Sequence, residues 1–238
     1  MAKAPLVYLI DPQDDDRESV SRQIEDVKLE CRPFGGVDEF FNVYEPHRVA
    51  CVLAELQLGN ATVFQFVKLL RHRLSSVPVI LLTAHATVRL AVQAFKSDVF
   101  EVLEKPVESF QLWECLTRAF ENHSRAMERT RYREGIRQRL YELSRQEMEV
   151  MRMVLNGSPN KHIAASLGLS PRTIVFRRKS LMQKMKAKSI GELACMIQLI
   201  GNEHSLPLTA DATELLDAHL NNNLCEISGA TRSHNGDL

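Results

Sequence analysis

The 238-residue sequence predicts an α/β domain on a five-stranded, doubly wound parallel sheet, followed by a second, all-α domain of four helices. Three observations predict this. The first hundred residues alternate short apolar or β-branched runs with segments of helical spacing, the mark of βα units whose right-handed crossovers build a parallel sheet. Farther along, Ser158-Pro159 and Ser170-Pro171 flank Gly168, so that one helix stops and another starts two residues later, as a helix-turn-helix requires. Charge is also segregated. Overall, 30 Lys plus Arg balance 30 Asp plus Glu, yet 1–106 carries net −3, 107–142 +1, 143–199 +7 and 200–238 −5.

The runs 6–10 (LVYLI), 49–54 (VACVLA), 77–82 (VPVILL) and 99–103 (VFEVL), with a weaker one at 29–34, read as strands covered on both faces, because they are continuously apolar rather than alternating. Val63, Phe66, Val67 and Leu70, then Val88, Ala91, Val92 and Phe95, recur at helical spacing between them. In open parallel sheets the functional crevice lies beyond the carboxyl ends of the strands, which singles out Asp11, Glu55, Thr83 and Lys105. From 107 to 142 there is no Pro and one Gly, so the last helix of the first domain continues into a helical connector, with a break expected near Gly135. In the second domain Ser158 as N-cap and Pro159 in the first turn start a helix over 159–167, and Gly168 ends it. Ser170-Pro171 then starts the next, over 171–186. Ile174, Leu181 and Met185 should pack inward, leaving Val175, Phe176, Lys179 and Gln183 outward. A last helix at 189–200 presents Ile190, Leu193, Ala194, Ile197 and Leu199. The expected organisation is a domain over 1–122, a connector over 123–142, a domain over 143–201 and a disordered acidic tail over 202–238, with a short helix at 210–220.

No apolar run reaches the roughly 18 residues of a membrane span, and the N-terminal apolar run is too short for a signal peptide. The five cysteines are widely spaced, without a CxxC pair, and read as reduced structural thiols of a cytoplasmic protein with no membrane partner. The sequence has no nucleophile–His spacing, Walker loop or dinucleotide fingerprint, so a turnover enzyme is not expected. Residues 171–191 hold seven basic residues and no acid, on a helix that follows helix-turn-helix punctuation. That combination points to double-stranded DNA as a partner.

The segments IDPQDDDRESV, CVLAELQLGN, VPVILLTAH and VLEKPV resemble the four signature segments of response-regulator receiver domains. LSRQEMEVM, NKHIAASLGLSPRTI and LMQKMKAKS resemble a LuxR-type helix-turn-helix. In this order the chain is similar to FixJ-like response regulators over about 5–200, which implies a flavodoxin-like receiver joined to a DNA-binding domain of a transcriptional regulator. The resemblance also implies phosphoryl transfer to an Asp at the end of the third strand, with Mg²⁺ held by that Asp and an acidic pair after the first strand.

Here Glu55 stands at the acceptor position and Pro12 at the second position of the pair, while Asp11, Thr83 and Lys105 remain. The extra methylene displaces the carboxylate by about 1.5 Å, when misplacements near 1 Å already cost about 10²-fold. Phosphorylation is therefore expected to be lost and no cofactor is expected; Asp11 and Glu55 alone would form a weakened Mg²⁺ site. Two readings of Glu55 stay open: a permanent charge near Lys105 and Thr83 that imitates the phosphorylated state, or a salt bridge to Lys105 in a receiver without a switch. Asp14, Asp15 and Asp16 read as solvated partners of a helix dipole. Val102 occupies the family's aromatic switch position, with Phe100 two residues away on the same strand face.

The resemblance places base contacts at Val175, Phe176 and Lys179, and phosphate contacts at Lys161, Arg172, Thr173 and Arg178. It also implies a homodimer on DNA, through the fourth helix of the second domain or the apolar positions around 86–96, and a sensor kinase or other signalling protein as partner. The alternatives are a conventional phosphorylated response regulator and an interaction adaptor that does not bind DNA.

Overall fold

The computed structural model describes residues 3–73 and 76–201. The tail at 202–238, its expected helix and Cys225 lie outside the described residues. The chain divides into two compact units, Met1–Thr130 and Arg131–Leu238.

In the first unit β1 (Leu6–Ile10), β2 (Glu30–Phe34), β3 (Ala50–Glu55), β6 (Val79–Thr83) and β7 (Glu101–Glu104) form an all-parallel sheet in the order β2-β1-β3-β6-β7. A two-residue hairpin, β4 (Gln57–Leu58) with β5 (Ala61–Thr62), follows β3. The continuous apolar runs are explained by the two cores they divide. On one face Tyr8, Val52, Leu81 and their neighbours pack against α2 (Val37–Val43), α3 (Val63–His72) and α4 (Val88–Lys96). On the other, Val7, Leu9, Leu53, Ile80 and Leu82 pack against α1 (Asp14–Asp26) and α5 (Ser109–Tyr141). Burying both faces removes the alternation that a half-exposed sheet would show.

The stripe Val88, Ala91, Val92, Phe95 forms the expected helix; Ala94 is its buried residue, and Val88 and Phe95, 84% and 86% exposed, lie open as a contact surface would. The shared strand face expected of Phe100 and Val102 is not found. Phe100 precedes β7 and packs into the core shared with α1 and α5, whereas Val102 packs into the opposite core, so the two do not share a face.

α5 runs unbroken through Gly135, whose carbonyl accepts from Arg139 Nε at 2.8 Å. An isolated Gly costs a helix only about 1 kcal/mol, and Ile136 and Leu140 on either side of that bond are buried in the core of the second unit. That core also holds Met151 of α6 (Arg145–Leu155), Leu181 and Met185 of α8 (Pro171–Met185), and Leu193, Met196, Ile197 and Ile200 of α9 (Ile190–Gly201). A smaller cluster joins α6, α7 (Asn160–Ser166) and Ile174 of α8. Ser170 caps α8, accepting from Thr173 N at 3.1 Å with Pro171 in the first turn, as expected. Ser158 does not cap α7. Its N–H donates to Met153 O at 2.9 Å while Gly157 takes φ +74°, so Ser158 finishes the C-terminal turn of α6 and Pro159 becomes the N-cap of α7.

Candidate functional site

The carboxyl ends of β1, β3, β6 and β7 place Asp11, Glu55, Thr83 and Lys105 at one edge of the sheet. Three of these meet. Lys105 Nζ donates to Asp11 Oδ2 at 2.6 Å and to Glu55 Oε2 at 2.7 Å, and a third acceptor is Asp16 Oδ2 at 2.8 Å. Asp16 is therefore a site residue and not merely a solvated dipole partner. It reaches back from the first turn of α1, which a reading along the chain does not reveal.

The other carboxylate oxygens are also engaged. Glu55 Oε1 accepts from Leu56 N at 2.8 Å, and Asp11 Oδ1 accepts from Gln13 N at 2.9 Å. Burial alone would lower the Lys105 pKa, but its bonds to Asp11, Asp16 and Glu55 carry it well above the usual lysine value, so it stays charged. Thr83 is buried at the same edge, but its hydroxyl accepts from His85 N at 3.2 Å and turns into its own loop.

The chemistry of the donors allows a test for a divalent cation. Asp11, Asp16 and Glu55 each offer an oxygen within 4.8 Å of the others, a hard donor set of the kind Mg²⁺ takes. The point nearly equidistant from those oxygens is, however, the ammonium nitrogen of Lys105, and Pro12 offers no side-chain donor. The site as arranged does not fit the metal.

In the second unit the outward positions of α8 are as expected. Val175 and Phe176 are 56% and 73% exposed, beside exposed Lys179, and Ile174, Leu181 and Met185 are fully buried. The expected phosphate contacts separate into two groups. Lys161 and Arg172 are exposed and have no ion pair among the described residues. Thr173 shares its hydroxyl with Ser170 at 2.8 Å, and Arg178 donates to Asn160 Oδ1, tying α8 to the start of α7.

A residue not singled out from the sequence anchors this helix from below. Glu147 forms a capping box with Ser144 and also accepts from Ser180 Oγ at 2.7 Å and Lys184 Nζ at 2.6 Å. Burial alone would raise its pKa, but the Lys184, Ser144 and Ser180 bonds bring it down to about 2. The Ser-x-x-Glu spacing at 144–147 was the available signal for the cap, though not for the contacts with α8. At the far end, Arg139 Nη1 donates to Met185 O at 2.8 Å and satisfies a carbonyl at the C-terminus of α8.

Two family models match the chain. One is described as "Response regulator receiver domain" and covers residues 7–117; the other, "Bacterial regulatory proteins, luxR family", covers 141–197. The transcriptional regulatory protein FixJ of Azorhizobium caulinodans is 30% identical over 201 residues, spanning 84% of this chain and 95% of that protein. FixJ of Rhizobium meliloti is 30% identical over 190 residues, spanning 80% and 93%. Among solved structures, full-length FixJ from B. japonicum aligns with a TM-score of 0.50 at 27% identity, covering 86% of this chain and all of that one. The response regulator StyR shares the fold at a TM-score of 0.71 and 21% identity, covering 82% and 99%.

Proposed function

The chain belongs to the FixJ-like response regulators and is a DNA-binding transcriptional regulator of that type, and from this premise we propose that its receiver works without phosphoryl transfer. The observation that carries the reading is the commitment of the acceptor carboxylate. Both oxygens of Glu55 already accept hydrogen bonds, and one of them holds Lys105. Between the two readings of Glu55, this favours the salt bridge, because Lys105 bonds Glu55 directly and no hydrogen bond joins Thr83 to Glu55 among the described residues. Incubation with acetyl phosphate and Mg²⁺ should leave the intact mass unchanged. A hydroxylamine-labile gain of one phosphoryl group would show a conventional phosphorylated regulator instead.

The regulator reads duplex DNA in the cytoplasm with the outward face of α8. Val175 and Phe176 contact thymine methyls and Lys179 donates to guanine O6 or N7, while Lys161, Arg172, Thr173 and Arg178 lie toward phosphates. Lys179→Ala should change the sequences recovered from a random library. Arg172→Ala should weaken all of them alike; if neither variant alters binding, α8 is not the reading helix. The outward Ile190 and Leu199 of α9, each 41% exposed, and the exposed stripe of α4 support pairing of two copies on DNA. Recovered sites should then contain two half-sites at a fixed spacing.

A further inference from the structure

We propose that the acidic segment Asp211–Leu220 of this chain docks on the outward face of α8 and competes with DNA for it. The proposal rests on the reading of α8 as the DNA-reading face, and it names an occupant for that face in the absence of DNA.

The face combines two chemistries. Exposed Arg172 and Lys179 have no acidic partner among the described residues, and Lys161 at the start of α7 is likewise unpaired. Glu147, the buried acid packed against α8, is already engaged with Lys184. Among the unpaired cations stand Val175 and Phe176, both largely exposed. A complementary ligand must offer carboxylates around an apolar centre. The segment DATELLDAHL at 211–220 supplies Asp211, Glu214 and Asp217 around Leu215 and Leu216, with no Lys or Arg. Residues 202–238 as a whole contain six acids and a single Arg.

Reach favours the contact. α9 ends at Gly201 and shares a core with the buried face of α8 through Leu181, Met185, Leu193 and Ile197, so the chain leaves from the same compact unit as the proposed target. The 15 residues of α8 are roughly 22 Å long, and the nine residues 202–210 span up to roughly 30 Å. A tether this short holds the segment at an effective concentration in the millimolar range, enough to populate contacts that are weak individually. Screening by salt should release it.

The test compares three full-length proteins for affinity to a labelled duplex of mixed sequence, and for hydrogen exchange across 172–185 without DNA. They are the parent, the triple variant Asp211→Asn/Glu214→Gln/Asp217→Asn, and the double variant Leu215→Ser/Leu216→Ser, which keeps the parent's charge. Both variants should bind DNA about three- to ten-fold tighter than the parent at about 50 mM salt, with the gap closing above about 300 mM. Both should also exchange faster over α8. If the triple variant tightens and the charge-preserving one does not, the effect is net charge alone and docking is overturned. Equal affinities for all three proteins overturn it as well. If none binds the duplex, the DNA-reading assignment itself fails, and hydrogen exchange still decides the contact: protection of α8 in the parent that is lost in both variants supports docking, and equal exchange overturns it.

Discussion

Lys105 stands between three carboxylates, and the charge it neutralises is large. Lys105→Ala would leave Asp11, Asp16 and Glu55 facing one another without a cation. Removing one partner of a largely buried ion pair costs about 3–5 kcal/mol, so the melting temperature of the receiver should fall markedly. Mg²⁺ should restore part of that loss in the variant and leave the parent's melting temperature unchanged; stabilisation of the parent would show that the ammonium does not exclude the metal. Glu147 makes a second prediction at this scale. Its pKa falls from an ordinary 4.5 to about 2 on folding, so its contribution is complete above about pH 4.5 and is lost as pH falls toward 2. Discounted for the partly exposed Lys184, that contribution is of the order of 2 kcal/mol. In denaturant titrations, Glu147→Gln should lose this amount near pH 7 and show a shallower acid limb than the parent. Asp11, Glu55 and Lys105 were legible in the sequence because strand ends fix where they stand. Asp16 and the α8 contacts of Glu147 were not, because each depends on how a helix packs and neither is marked by its neighbours along the chain.

At the scale of elements, the sheet was legible because its inner strands β1, β3 and β6 are apolar on both sides, and α8 because Ser170, Pro171 and Gly168 punctuate it. Periodicity alone does not give the direction in which α4 faces, although its apolar positions were read as a candidate contact surface. Val88, Ala91, Val92 and Phe95 have the spacing of a buried stripe, and periodicity reports that a stripe exists without saying which side of it is covered. The most consequential element is α5. In the receiver its His123 is buried, and Nδ1 accepts from Ala50 N at 2.9 Å at the start of β3. Burial lowers the His123 pKa, and the acceptor role requires the unprotonated nitrogen. With the folded pKa below the unfolded value of about 6.5, stability from this contact is present above that pH and declines as pH falls below it. Hydrogen exchange at Ala50 should accelerate from pH 7 to pH 5.5, after correction for intrinsic rates, more in the parent than in His123→Gln. Equal acceleration would remove His123 from the acid response.

For the whole molecule, a net charge of zero conceals a basic unit between acidic segments, so overall charge is a poor guide to whether the protein meets DNA. If Lys161, Arg172 and Arg178 each neutralise one phosphate, the log–log salt slope is about −3 per chain, doubled in a dimer. A binding isotherm insensitive to salt would contradict the assignment. The entry of α5 into the second core bears on how the protein can be divided. A fragment beginning at 143, where the helix-turn-helix reads as starting, would lack Ile136, Leu140 and the Arg139 bond to Met185 O. Each lost apolar side chain of this kind costs about 2–5 kcal/mol, against a total of about 5–15 for a whole domain. Residues 131–201 should unfold cooperatively and 143–201 should not, which would put the start of an autonomous DNA-reading piece a dozen residues upstream of the boundary that the sequence alone suggests.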